Sequence, residues 1–459
     1  MGVRPWRGNW TQPSKVSLVR EPYSQTYDLD FGSGLESPAR AKTALRISPL
    51  LAGASVLTLF FVSQILQPFP QLSGLQLAKL TAAATTVIFL VSRRGLIDRV
   101  KLSDAIQLKY LVLILLLAIV TIPWSVWPAA SWGYIVDVYS KNVLYAYLLV
   151  QAVKTDADSR VIAGVMVIGS TALALAILTH FGPVVSYQSE PGRLGLGTYD
   201  PNDLALLFVV TVPFAFFLMK SARTRVRLLL VASILIMLAA MFKGESRGGF
   251  LGLLAIGTLM FLRAPRQARK YTLITLALGV ALFVFAAPRT YWDRISTISN
   301  LEADYNLHVE GGRIPVWKEG LRMIAESPLT GVGIACFPFE QSRLSESRLD
   351  KAPHNSFLQA AAELGVIGLG LFLVIVISAI VISRRIRRAV GSGTTDPSLL
   401  WLASAVEISL IGYAVSGFFL SHAYSGIICF LTAMAAAMTA RYKVCQRNAL
   451  PVIEEVEYA

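Results

Sequence analysis

The chain is short of charge. Of its 459 residues only 15% are Asp, Glu, Lys or Arg, against 54% hydrophobic, and its mean hydropathy is +0.58. Soluble globular chains carry about 25% charge, so a water-soluble fold is excluded and a bilayer is the expected solvent. Histidine is scarce as well: His180, His308, His354 and His422 are scattered, with no HExxH. Cys336, Cys429 and Cys445 lie far apart in sequence, so neither a cysteine–histidine metal site nor an internal disulfide framework is expected. The chain has no Walker loop, no dinucleotide-binding glycine fingerprint and no GxSxG. ATP- or NAD-driven chemistry therefore lacks its usual signature, and no metal or cofactor is expected. Internal repeats and matched broken helices are missing too, which weighs against a transporter built on inverted halves.

What the chain has in abundance is apolar runs near the length of a membrane span, at about 47–66, 75–92, 108–127, 132–153, 161–181, 203–219, 227–242, 248–262, 271–288, 356–382, 399–420 and 424–440. About twelve transmembrane helices in one all-α polytopic domain, 47–440, is the expectation. In the run 132–153, Asp137 and Lys141 stand at i, i+4 and are predicted to pair on one helical face. Loops alternate in charge along the chain. RRGLIDRVK, KSARTRVR, RAPRQARK and RRIRR are strongly basic, whereas QPFPQLSG, WSVWPAAS and LSHAYS hold no Lys or Arg. Basic loops stay cytoplasmic, so both termini are placed inside and the net charge of +14 reads as loop bias rather than nucleic-acid binding. Trp124, Trp127 and Trp132 then fall at an outer interface. Residues 1–46 hold seven Lys or Arg and no apolar core, so they read as a disordered cytoplasmic tail without a secretory leader. Residues 441–459 form a second cytoplasmic tail.

With this topology the long connection 289–355 lies outside, as does 182–202. Three helix starts face that side with polar signatures: Asn202-Asp203, Ser246-Arg247-Gly248-Gly249 and His354-Asn355-Ser356. Helix N-termini bind anions, and arginine forks reinforce them. Arg247 sits in GESRGGF, where Gly248 and Gly249 would let a ligand approach the backbone. Arg313 follows Gly311-Gly312 and opens an amphipathic stretch with Ile314, Trp317 and Leu321 on one face. Arg193, in PGRLGLGTYDPND, is a weaker candidate. Each arginine alone has an ordinary structural reading, as a snorkelling or capping residue. His354 follows Pro353 at the wet edge of a helix that Asn355 or Ser356 can cap. A neutral histidine there takes a proton near pH 7, so activity resting on it is predicted to rise through about pH 6–7. Arginines that hold a departing pyrophosphate and a histidine that activates a hydroxyl suit a diphosphate-linked substrate.

These residues resemble the O-antigen ligase and Wzy-type polymerase family of bacterial envelope glycosyltransferases. The closing motif of that family, His-Asn, nine residues, Gly, two residues, Gly, is met by His354-Asn355, Gly365 and Gly368. ESPLTGVGIACF, ESRGGF and DPNDLALL are similar to its other recurring features. The resemblance covers 190–380 well and the first five spans only by topology. It implies a GT-C-like helical membrane fold with a large helical periplasmic loop over the site, in the bacterial inner membrane with the active site facing the periplasm. It implies metal-independent, inverting transfer of a glycan from an undecaprenyl-diphosphate carrier to a glycan or lipid-linked acceptor. His354, Arg313 and Arg247 are carried over as catalytic, and Arg193, Asn202, Asn355 and Trp317 as substrate-binding. Polysaccharide assembly and chain-length proteins are candidate partners. Two other readings stand beside it: a transporter of a small anion such as bicarbonate, and a non-enzymatic assembly factor. The spans offer only Lys79, Asp137, Lys141, Glu363 and Glu407 for a polar path, too few and too unpatterned for a relay.

Overall fold

The computed structural model describes residues 2, 47–62, 64, 76–92, 97–181, 184–186, 194–196, 199–263, 273, 277, 281, 292, 312–345 and 350–449. The helices are α1 (Pro49–Phe61), α2 (Leu77–Val91), α3 (Ile106–Val120), α4 (Pro128–Tyr134), α5 (Ser140–Ala152), α6 (Asp156–Leu178), α7 (Pro201–Met219), α8 (Thr224–Lys243), α9 (Arg247–Leu262), α10 (Arg313–Glu326), α11 (Phe337–Leu344), α12 (Ser356–Gly391), α13 (Leu399–Gly417) and α14 (Gly426–Ala449). Of these, α6, α7, α8, α12, α13 and α14 are long and apolar enough to cross a membrane, while α1, α2, α3 and α9 are apolar but shorter. The run expected at 271–288 lies outside the described residues, apart from single positions. The run at 132–153 is interrupted by a π-helical turn, Ile135–Tyr139, and Asp137 meets Lys141 at 2.9 Å as the spacing predicts. Among the described residues, a small departure from an all-α chain is an antiparallel ribbon of β1 (Val184–Ser186) and β2 (Leu194–Leu196).

Capping chemistry sets the helix starts. Thr155 and Asp158 form a capping box on α6, and Asp200 and Asp203 form another on α7. Ser246 caps α9 through Gly249 N, and Asn355 caps α12 through Phe357 N and Leu358 N. Such caps satisfy N–H groups that a helix cannot pair internally.

Contacts sort the connections to two ends of the bundle. At one end Lys443 reaches Ser103 O at 2.5 Å, Arg447 reaches Asp104 at 2.6 Å, Arg441 reaches Ser398 at 3.0 Å, and Trp401 reaches Asp156 at 2.6 Å. At the other end Val126 N donates to Val332 O at 2.9 Å, Trp317 to Pro353 O and Ser356 to Leu420 O. Among the described residues, the connections before α3 and α13 therefore lie at one end and the uncharged WSVWPAAS and LSHAYS at the other, as the alternation predicted, while QPFPQLSG and all of RAPRQARK but Arg263 lie outside the described residues.

Helix α13 is the hub, packing on α7, α9, α12 and α14. A stripe of small residues lets α7, α9 and α13 approach closely. A Cβ on Gly249 would lie 2.4 Å from Ala205, one on Gly252 2.1 Å from Ser416, and one on Gly412 2.6 Å from Ile256. Without a hydrophobic drive between helices in lipid, such close backbone packing supplies the cohesion.

The glycines of the His-Asn motif do a different job. Helix α12 breaks at Leu364 and Gly365, where Gly365 takes φ +67°. The segment 328–333 docks into the break: Val366 N donates to Pro328 O at 2.8 Å, Val332 N to Ala362 O at 2.9 Å and Gly333 N to Glu363 O at 3.0 Å. A Cβ on Gly365 would stand 2.5 Å from the Leu329 carbonyl, and one on Gly331 2.4 Å from Glu363. Only glycine fits both the turn and the crossing. The motif therefore locks the segment before α11 onto the helix that begins at Ser356.

Candidate active site

Four polypeptide pieces converge at the end of the bundle that carries His354. They are the start of α7, the start of α9, α10 with the Pro353-His354-Asn355 turn, and the link 418–425 between α13 and α14.

His354 occupies the left-handed region at φ +44°. That conformation costs a non-glycine residue about 1–2 kcal/mol. It is braced on both sides: Trp317 Nε1 donates to Pro353 O at 2.8 Å, and Asn355 Oδ1 accepts from Phe357 N and Leu358 N at 3.0 Å each. Glu245 repeats the device before α9, with φ +50° ahead of the Ser246 cap and Arg247. Burial and then the charge of Arg313 push the His354 pKa down to about 4. That direction puts the onset of His354-dependent activity below the pH 6–7 expected of an ordinary imidazole. His354 is partly buried, and with the Arg313 charge acting on it the neutral ring is favoured below the usual histidine range.

Arg313 is the first residue of α10, and its guanidinium carbon lies 5.5 Å from the centre of the Phe419 ring. Phe419 also packs on the start of α9, where a Cβ on Gly248 would meet it at 3.1 Å. One aromatic ring thus connects Arg313 to the neighbour of Arg247. Gly248 and Gly249 are corrected accordingly: Phe419 and Ala205 take the space above them, and their role is helix packing rather than ligand approach. The apolar face of α10 is also reassigned. Val316, Gly320 and Met323 are buried, with Gly320 close against Leu358 and Phe337, while Leu321 is 61% exposed. Trp317, half-buried, braces Pro353 and meets Phe418 edge-on at 5.5 Å.

Asn355 is buried and its side-chain oxygen caps α12, as the sequence allowed. Asn202 stands in the first turn of α7, its N–H bound by Asp200 at 2.6 Å. Arg193 lies outside the described residues.

A histidine–carboxylate pair joins this site that sequence reasoning left out. His422 Nε2 lies 2.7 Å from Asp203 Oδ1, and both residues act electrostatically on His354. The His422 backbone is held by Ser356 Oγ at 3.0 Å and by the Tyr413 hydroxyl, which donates to His422 O at 2.8 Å. Burial works against a charge on His422, but the charge and hydrogen bond of Asp203 outweigh it and raise its pKa. Two neighbouring histidines are therefore displaced in opposite directions. Signals for the pair existed: DPND is a capping pattern, and LSHAYS is an uncharged loop on the His354 side.

Below Phe418 and Phe419 an apolar groove of about 820 Å³ runs between α9, α12 and α13, lined by Leu251, Leu254, Leu259, Phe357, Ile380 and Ile411. Leu251 to Leu259 alone covers about 12 Å of helix. The groove begins under Arg313 and continues into the membrane-spanning part of the bundle.

Fold and site together define a polytopic helical membrane protein with arginines and histidines gathered at one end of its bundle. Residues 232–373 match the O-antigen ligase family model, Wzy_C, which supports the O-antigen ligase and Wzy-type family for this chain. The matched stretch contains Arg247, Arg313, Trp317, His354, Asn355, Gly365 and Gly368, and it supports a role in ligating or polymerising a surface glycan. No curated protein matches the chain.

Proposed function

We propose that the protein transfers a glycan from an undecaprenyl-diphosphate carrier to a hydroxyl acceptor at the outer face of the bacterial inner membrane, through a GT-C-like fold with both termini cytoplasmic. The observation that carries the reading is the juxtaposition of Arg313 and His354 at the head of an apolar groove. A polyprenyl diphosphate has the matching shape, with two phosphates at the arginine end and a hydrocarbon tail below. Arg247 and Arg313 hold the diphosphate, Arg247 at the helix N-terminus that favours anions. His354 accepts the proton of the acceptor hydroxyl as its oxygen attacks the anomeric carbon. The bond from that carbon to the diphosphate oxygen breaks, and the electron pair leaves with undecaprenyl diphosphate. Attack opposite the leaving group inverts the anomeric centre. Arriving diphosphate neutralises Arg313, one of the two largest causes of the low His354 pKa, and so makes His354 a better base when substrate is bound. Asp203 holds the ring of His422 and keeps negative charge behind the site.

The test is complementation of a strain lacking the protein with wild type, His354→Ala and Arg247→Ala, each checked for expression, with surface and carrier-linked glycan resolved on gels. The reading expects both variants to be present and inactive. Single carrier-linked repeats would then mark a polymerase, and long unattached chains a ligase. Normal surface glycan in both variants would overturn it and return the transport or assembly reading.

A further inference from the structure

The groove has a second charged end. One turn beyond Leu259 on α9 comes Arg263, one turn beyond Ile380 on α12 comes Arg384, and one turn before Ile411 on α13 comes Glu407. Glu407, 0% exposed, receives Arg263 Nη2 and Arg384 Nε on one oxygen, each at 2.7 Å, and Arg387 Nη1 on the other at 2.9 Å. One arginine would suffice to neutralise a buried carboxylate. Three leave two positive charges uncompensated within the cluster, at the edge of a hydrocarbon-facing groove. The donors also outnumber the acceptor: among the described residues Arg263 Nη1 and Arg387 Nε have no hydrogen-bond partner. Arg384 is 52% exposed, so among the described residues the cluster is open to a ligand.

We propose that Arg263, Arg384 and Arg387 form a binding site for the phosphate of an anionic phospholipid, whose acyl chain lies in the adjoining half of the groove. Charge complementarity selects the occupant. A phosphate diester brings one negative charge and two free oxygens, which guanidinium forks bind in a planar, bidentate way. Leu259, Ile380 and Ile411 offer its chain an apolar wall one helical turn away. Along α9 this site is about 24 Å from Arg247, close to the thickness of the hydrocarbon layer, so it faces the leaflet opposite the His354 site. Basic clusters between helices near the membrane surface are ordinary headgroup sites. The assignment is independent of the transfer reaction.

The experiment is thermal unfolding of the purified full-length protein in dodecylmaltoside, titrated separately with dioleoylphosphatidylglycerol, dioleoylphosphatidylcholine and inorganic phosphate. Phosphatidylglycerol is expected to raise the unfolding temperature, and the other two are not. In Arg384→Gln, which leaves Glu407 two arginine partners, the concentration for half the shift should rise about tenfold, the worth of one charge-assisted contact. Arg385→Gln removes the same charge from the next, exposed position and should keep the wild-type response. An unchanged response in Arg384→Gln, or equal losses in both variants, would overturn the site. An equal shift with phosphatidylcholine would mean generic filling of the groove, and one with inorganic phosphate a simple ion site; either refutes the proposal. Should Arg384→Gln not fold, native mass spectrometry of the delipidated wild type gives the same decision, by whether phosphatidylglycerol is retained over phosphatidylcholine.

Discussion

Two histidines share the site and are expected to titrate on opposite sides of the free-imidazole value. Burial and Arg313 place His354 at about 4, whereas Asp203 lifts His422 above 6.5. For His354 the drop from 6.5 to about 4 corresponds to roughly 3 kcal/mol in favour of the neutral ring. The measurement is nitrogen-15 NMR of histidine-labelled protein in detergent, with resonances assigned through His354→Gln and His422→Gln. His354 should be roughly 90% neutral at pH 5. The linkage signs differ. Because the folded pKa of His354 is depressed, its contribution to stability is complete above pH 6.5 and is lost as pH falls toward 4. Because that of His422 is raised, its contribution is present below 6.5 and is lost as pH rises through its folded value. For transfer that uses His354 as base, kcat/KM, which reports the free enzyme, should accordingly be flat from pH 5 to 8 on its acid side and fall only near pH 4, while kcat should begin to fall at higher pH. Added pyrophosphate should raise the His354 value by neutralising Arg313. If both histidines titrate together near 6.5, the site is open to water and the electrostatic account fails.

Gly365→Ala must adopt φ +67° and place a methyl 2.5 Å from the Leu329 carbonyl, so a loss above about 3 kcal/mol is expected in thermal unfolding. Gly370→Ala, with nothing within 4 Å, should be neutral or gain about 0.5–1 kcal/mol, and equal losses in both would contradict the docking of 328–333 into the break. Arg313→Lys should lose at least tenfold in transfer, because a point charge cannot reproduce the fork; full activity would make Arg313 merely positional. Asp203→Asn should bring His422 down below 6.5 in the same NMR titration, since burial is then opposed only by the weaker pull of Asp200. Trp317→Phe keeps the Phe418 contact but loses the bond to Pro353, worth about 1 kcal/mol, and should depress transfer more than stability.

Much of the arrangement was legible from residue order. Loop charge sorted the connections to two ends because Lys and Arg mark one side of a bilayer, and capping letters at Ser246 and Asn355 located two helix starts. The run 132–153 showed its Asp137–Lys141 pair but not its π-turn, since an inserted residue leaves hydropathy unchanged. Single-residue readings failed where a neighbour distant in sequence decides the environment. Gly248 and Gly249 looked like a ligand approach because Phe419 lies some 170 residues on. His354 looked like an ordinary imidazole because Arg313 and His422, which act on it electrostatically, are distant in sequence. Glu407 looked like a stray membrane charge until Arg263, Arg384 and Arg387 closed on it. The His422–Asp203 pair joins segments 219 positions apart; DPND and LSHAYS each carry a local signal, but neither announces the pairing.

The most direct test of the account is a transfer assay with purified protein and a defined undecaprenyl-diphosphate-linked glycan. It would follow release of undecaprenyl diphosphate in wild type, Arg247→Ala, Arg313→Ala and His354→Ala. The account predicts acceptor-dependent release in wild type and a drop of at least a hundredfold in each variant that remains folded, the scale of a lost general base or charge-stabilising donor. Release at the wild-type rate from folded His354→Ala and Arg313→Ala would contradict it.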